Sequence, residues 1–248
     1  MSASRTRRTR WVAGSAVALA LLFAGAAAIA SARGDAAAPA PRTPSAESAD
    51  AGFARDMAVH HQQAVEMSFL VRDRTRDEDV RRLAYDIANT QANQRGMLLG
   101  WLDLWELPKT APDGQGPMAW MSGSNGDGHG SHGSHDTEGM RDTAGAAGGG
   151  TEHGVAGFEA HDGALMPGMA TRTELARLGD AEGKRAEILF LQLMTDHHEG
   201  GVEMARGCAE RCAVRVEKRL ARGMVEGQRS ELDLMADMLA ARGAQPRP

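Results

Sequence analysis

Aromatic side chains are scarce in these 248 residues, with 5 Phe, 4 Trp and 1 Tyr. A core short of aromatics must be filled by Ala, Leu, Val and the 14 Met, a mixture that favours helices over sheets. Basic excess is also missing. The net charge is -5 with His neutral, and Arg5, Arg7, Arg8 and Arg10 crowd the extreme N-terminus. The remainder therefore has no cationic stripe for phosphates, which excludes nucleic acid as a partner. No Ser-His-Asp arrangement, Gly-rich phosphate loop or pair of catalytic carboxylates stands at a recognisable spacing, so nothing positive points to an enzyme.

Charge is absent altogether from Trp11 to Ala30, directly after the Arg cluster. A basic flank followed by an apolar run reads as an export signal. About 20 apolar residues would also span a bilayer, while Ala30-Ser31-Ala32 offers a small-x-small cleavage site. Residues 1–33 are thus a cleaved signal peptide or an uncleaved membrane anchor, with the protein facing outside the cytoplasm or secreted. Thr6-Arg7-Arg8 suggests a twin-arginine signal, but Arg10 stands where an apolar residue is expected. Residues 34–50, rich in Ala, Pro and Ser, read as a flexible linker.

What is present is a repeat. Phe53, Met57, His60, His61, Val65, Glu66 and Met67 recur at one constant offset as Phe190, Met194, His197, His198, Val202, Glu203 and Met204. Downstream, Val80, Ile87, Gln94 and Leu98 align with Val214, Ala221, Gln228 and Leu232 at a slightly shorter offset. Apolar residues three or four apart predict helices from about Ala51 to Arg72, Asp79 to Leu107, Thr173 to Cys208 and Ala213 to Arg242. Asp50 and Thr171 are the candidate caps; Pro108 and Gly243 are the stops. Neither hairpin can bury its apolar stripe alone, so residues 51–242 should form an all-α four-helix bundle of two repeated hairpins. The connection, residues 109–170, should be a long, largely disordered Gly/His-rich crossover with no core of its own.

At roughly 100° per residue, Met57, His60, His61, Ala64 and Met67 share one helix face, as do Met194, His197, His198, Gly201 and Met204. Glu66 and Glu203 fall on the opposite face. Ala64 and Gly201 are small enough to let the two helices approach. Met at helical spacing is commonly core filling, but burying two adjacent His pairs for packing alone carries a desolvation cost. Thioether with imidazole suits copper, as Cu(I), over iron, which needs carboxylates at Glu-x-x-His spacing, and over zinc, which gains little from thioethers. Secondary candidates are His129, His132 and His135 in the crossover, and Met166 and Met169 at its edge, where Met pairs such as these and Met118 with Met121 could also dock the loop. Cys208 and Cys212 could form a disulfide if the helix is irregular there; a thiolate metal site or redox pair is the alternative.

The twice-present Met-x-x-His-His helix with its Glu-Met pair, together with Leu165-Met166-Pro167-Gly168-Met169-Ala170, resembles a bacterial family known as domain of unknown function 305. The resemblance runs from Phe53 to about Leu239. It implies a ferritin-like bundle, export and, in some relatives, copper binding or tolerance, carried here by the eight Met and His residues above. It implies no established reaction. The expected function is extracytoplasmic copper buffering, storage or transfer. The alternatives are a metal-dependent redox enzyme, which predicts inward carboxylates beside the His pairs, and a structural adaptor of the envelope, which predicts no response to metal.

Overall fold

The computed structural model describes residues 43–122 and 158–248. The apolar run from residue 11 to 30 with its cleavage site, and His129, His132, His135 and His153 of the crossover, lie outside the described residues. Helix α1 (Ala49–Arg74) starts two residues before the expected Ala51, where Ser48 is extended and its hydroxyl accepts the Ala51 N–H. Asp50 is not its cap. Its carboxylate is buried and accepts the N–H groups of Ala213 and Val214 at 2.7–3.1 Å, so it caps the turn into the last helix. A reading of local sequence sees an acid at a helix start but not the distant donors that claim it.

After Thr75 ends α1, Asp77 caps α2 (Glu78–Leu104) by accepting from Asp79 and Val80. The helix closes three residues short of the expected Leu107, at Trp105, with Glu106 taking a positive φ. A single turn, α3 (Ala119–Ser122), follows. Thr171 is a cap as expected: with Glu174 it forms a reciprocal capping box for α4 (Arg172–Asp180). The third expected helix is two helices. Ala181 and Glu182 are extended and Gly183 has φ 53°, which breaks the chain before α5 (Gly183–Arg211). Apolar spacing persists through the break, which is why periodicity missed it; the change of direction buries Leu178 and Ala181. Last comes α6 (Arg215–Ala241), closed at Gly243 with φ 69°.

These six helices, with no strand, make an all-α architecture among the described residues. Helices α1 and α2 pair as one hairpin, α5 and α6 as the other, and the hairpins meet chiefly through α1 and α5. No described helix is long and apolar enough to cross a membrane. The apolar interior falls into two groups. One gathers Phe53, Met57, Trp120, Met166, Met204 and the two cysteines; the other gathers Met67, Val80, Ile87, Phe190, Met194 and Leu239. Each fully buried Met, Leu or Phe contributes about 1.5–3 kcal/mol of transfer free energy. Met57 thus shares a cluster with Met204, and Met67 with Met194, as antiparallel α1 and α5 require.

Candidate metal centre

Between the two apolar groups lies a polar layer whose imidazoles come from α1 and α5. His60, His61, His197 and His198 are each fully buried, and Met57, Met67, Met194 and Met204 are at most 1% exposed. The rings of His60 and His197 overlap across the seam, with centroids 3.7 Å apart and planes inclined by 31°. Their sequence neighbours stand farther off: His61 is 6.5 Å from His60, and His198 is 6.3 Å from His197. The structure therefore brings both predicted His pairs into one layer, flanked by a Met pair on each side. Glu66 and Glu203 point into solvent, as helical geometry required.

Few polar partners reach these rings. Nε2 of His197 lies 3.0 Å from the His60 carbonyl oxygen and, as N–H, donates to it. Nε2 of His198 lies 2.7 Å from a carboxylate oxygen of Glu231. Both nitrogens of His60, both of His61 and Nδ1 of His197 and of His198 have no hydrogen-bond partner. Burial is the chief reason that the pKa of His60 and His197 falls well below the ordinary value, with the neighbouring imidazoles adding to it. Burial likewise lowers His61 to about 3, although the Gln94 and Gln91 amides beside it act in the other direction without completing a hydrogen bond to the ring. At neutral pH these three imidazoles are neutral, the form that offers a lone pair to a metal.

Three residues outside the expected set shape the layer. Glu231 on α6, whose side chain is 24% exposed, is the link between buried His198 and the surface. Gln91 and Gln94 on α2 face His61. Polar side chains on the inner stripe of α2 and α6 were a signal that sequence alone could have offered, since Gln91 is only 2% exposed. Gly201 does not serve the approach of α1 to α5, as expected, but that of α6: a Cβ there would collide with the Gln228 amide. Ala64 is buried as expected.

The Leu165–Ala170 segment closes one side of the seam. The Gln63 amide both donates to the Ala170 carbonyl, at 2.8 Å, and accepts the Ala170 N–H, at 2.7 Å. From α5, Gly200 receives the loop so closely that a Cβ would overlap the Pro167 carbonyl, while Gly168 turns beneath it at φ 81°. Met166 is thereby buried in the cluster of Met57 and Met204, with Met169 packed against it. The other crossover edge docks too. Trp120 meets Phe53 edge-on at 5.8 Å, and Asp56 accepts from the Trp120 indole at 2.9 Å and the Met118 N–H at 2.7 Å. Of the crossover histidines only His161 is described; it is exposed and bonds locally to Glu159.

Cys208 and Cys212 are joined as a disulfide. The helix ends at Arg211 and Cys212 is already extended, so the bond spans a helix terminus and not continuous helix. Beside it Glu217 is buried against Asp50, and burial together with that neighbouring carboxylate pushes it up to about 10.

The donor set fits a soft or borderline metal: buried imidazoles with unpartnered nitrogens, bracketed by buried thioethers. The sequence profile of the family described as Domain of unknown function (DUF305) matches residues 50–239. Among solved structures, a DUF305 protein of Streptomyces coelicolor is 56% identical, with 82% of this chain and 99% of that one aligned and a TM-score of 0.63. A DUF305 fragment from Deinococcus radiodurans is 25% identical, covers 81% of this chain and 99% of its own, and gives a TM-score of 0.54. CopM in its Cu(I)-bound form has the same fold at 16% identity, over 77% of this chain and 96% of CopM, with a TM-score of 0.50. No curated protein matches the chain.

Proposed function

This chain belongs to the DUF305 family, of unknown function, and from that premise we propose that it is an extracytoplasmic copper-binding protein that buffers, stores or hands on Cu(I). The observation that carries the reading is the layer of four buried imidazoles, six of whose ring nitrogens have no partner, between Met57 with Met204 and Met67 with Met194. Buried polar atoms left unpaired cost about 1–3 kcal/mol each, so a ligand that satisfies several at once is strongly favoured. Soft thioethers on both sides select a monovalent copper over hard cations. CopM has been solved with Cu(I) bound; at that level of identity the weight rests on the donors in this chain. Met166 and Met169 extend the sulfur-rich side, and the His129, His132 and His135 tract serves as an auxiliary sink.

The reading takes the two hairpins as a ferritin-like duplication whose seam is the site. It takes residues 1–33 as the export signal or anchor. The Streptomyces coelicolor relative, labelled a candidate secreted protein, supports export, as does a disulfide, which persists in oxidising compartments.

A metal-dependent redox enzyme is the second reading, favoured by Glu231, an inward carboxylate beside a His pair. It ranks second because carboxylate-bridged di-iron bundles use carboxylates from all four helices, and among the described residues a single one is bonded to the layer. Anaerobic Cu(I) titration of the purified chain against a chromophoric chelator tests both. The intact chain should retain copper and melt at a higher temperature when loaded; the variant with His60, His61, His197 and His198 all replaced by Ala should do neither. Equal copper retention by that variant sinks the proposal, and steady turnover of oxygen or peroxide with iron would promote the enzyme reading.

A further inference from the structure

At the turn between α5 and α6, away from the histidine layer, three buried groups converge. The sulfurs of Cys208 and Cys212 and a carboxylate oxygen of Glu217 all lie within 4.8 Å of one another. Glu217 is fully buried, and neither of its oxygens has a hydrogen-bond donor. The neighbouring Asp50 carboxylate is itself an acceptor and takes the N–H groups of Ala213 and Val214. A fully buried polar side chain whose two oxygens receive no donor calls for an explanation. The duplication does not provide it: the first repeat carries Val71, Thr75 and Leu83 at the corresponding places, none of them a metal ligand. This corner is present in one half only.

We propose that Cys208, Cys212 and Glu217 form a second metal site, distinct from the histidine seam, which takes one closed-shell thiophilic cation when the disulfide is reduced. Two thiolates and a carboxylate are a donor set for zinc, cadmium or Cu(I). The gate is thiol–disulfide exchange with an external dithiol. One of its thiolates attacks the Cys212 sulfur, the Cys208–Cys212 bond breaks and Cys208 leaves as thiolate. The second thiol then displaces Cys212 and closes the dithiol's own disulfide, so two electrons pass to the protein and the external dithiol is oxidised. Opening of the last turn of α5, where helix ends fray at low cost, exposes the sulfurs to attack. Binding a divalent cation then releases the two thiol protons and the proton of Glu217, leaving a complex of two thiolates and one carboxylate.

Cd(II) is a suitable probe, because thiolate-to-cadmium charge transfer absorbs in the ultraviolet and neither imidazole nor thioether produces that band. The full chain, reduced anaerobically by a dithiol and freed of it, should develop the band and saturate at one Cd(II) per chain. The oxidised chain and the C208S/C212S variant should not develop it. Glu217→Gln should keep the band but weaken binding at least tenfold, and the chain lacking the four seam histidines should behave like the parent, which separates this site from the copper reading. A reduced chain without the band, a Glu217→Gln variant that binds as tightly as the parent, or a disulfide that resists dithiol in the folded chain would each overturn the proposal.

Discussion

Helices α1 and α5 carry the same motif 137 residues apart, yet the helices behind them treat it differently. In the first hairpin His61 faces two neutral amides, Gln91 and Gln94; in the second His198 meets the Glu231 carboxylate at 2.7 Å. The shorter offset of the partner helices explains it, since Gln94 corresponds to Gln228 and Met97 to Glu231. Gln228 slides over the Gly201 backbone, and one turn on Glu231 takes the place beside the ring. The loop breaks the symmetry again: the matching positions Gln63 and Gly200 hold the Leu165–Ala170 segment at Ala170 and at Pro167, one by a pair of hydrogen bonds and the other by having no side chain. The duplicated helix keeps the donors, and its surroundings set how each half is hydrogen-bonded, closed and reached from solvent.

The largest expected effect of these differences is on acid stability. His60, His61 and His197 have folded-state pKa values below the ordinary 6.5, so the stability they contribute is complete above that pH and is lost as pH falls through the window towards about 3. For His61 alone the full loss is on the order of 5 kcal/mol. Melting of the copper-free protein from pH 7.5 to 4 should show a steep decline, and His60→Gln with His61→Gln should flatten it. An unchanged slope would mean that these rings are not neutral and buried together.

Copper binding comes next. If the seam is one shared site, the double variants H60A/H61A and H197A/H198A should each lower Cu(I) affinity by roughly 100-fold or more, about 2.7 kcal/mol. If the halves bind independently, each variant would instead halve the stoichiometry and leave the remaining affinity intact. Gly200→Ala, which drives a methyl into the Pro167 carbonyl, should destabilise the fold by about 1–3 kcal/mol in urea titrations. Alanine at the matching Gln63 should cost less, about 1 kcal/mol. Of comparable size is Glu231→Gln: loss of the partner that orients His198 should weaken Cu(I) roughly tenfold, whereas Gln94→Ala should have the smallest effect of all. Equal effects would dissolve the contrast between the halves.

Much of the fold was legible because duplication and periodicity are both local in sequence. The four long helical segments, the Thr171 cap, the Gly243 stop and the outward Glu66 and Glu203 follow from spacing alone. The burial of both His pairs was legible because adjacent imidazoles on an apolar stripe have nowhere else to point. The break at Ala181 was not, since periodicity reports which face is apolar and not where the axis turns. Asp50 shows the same limit: its side chain serves donors 163 and 164 residues away.

The amino-acid order by itself determined an all-helical chain with two copies of one donor-bearing helix, because helix periodicity and internal repetition are properties of the sequence. Only the tertiary structure decided that Glu231 meets His198, that Gln63 and Gly200 clasp one loop, and that Glu217 lies against a disulfide. Those pairings depend on how far one helix slides along another. A shift of a single turn, about 5.4 Å, exchanges one side chain for the next and leaves the hydrophobic pattern unchanged.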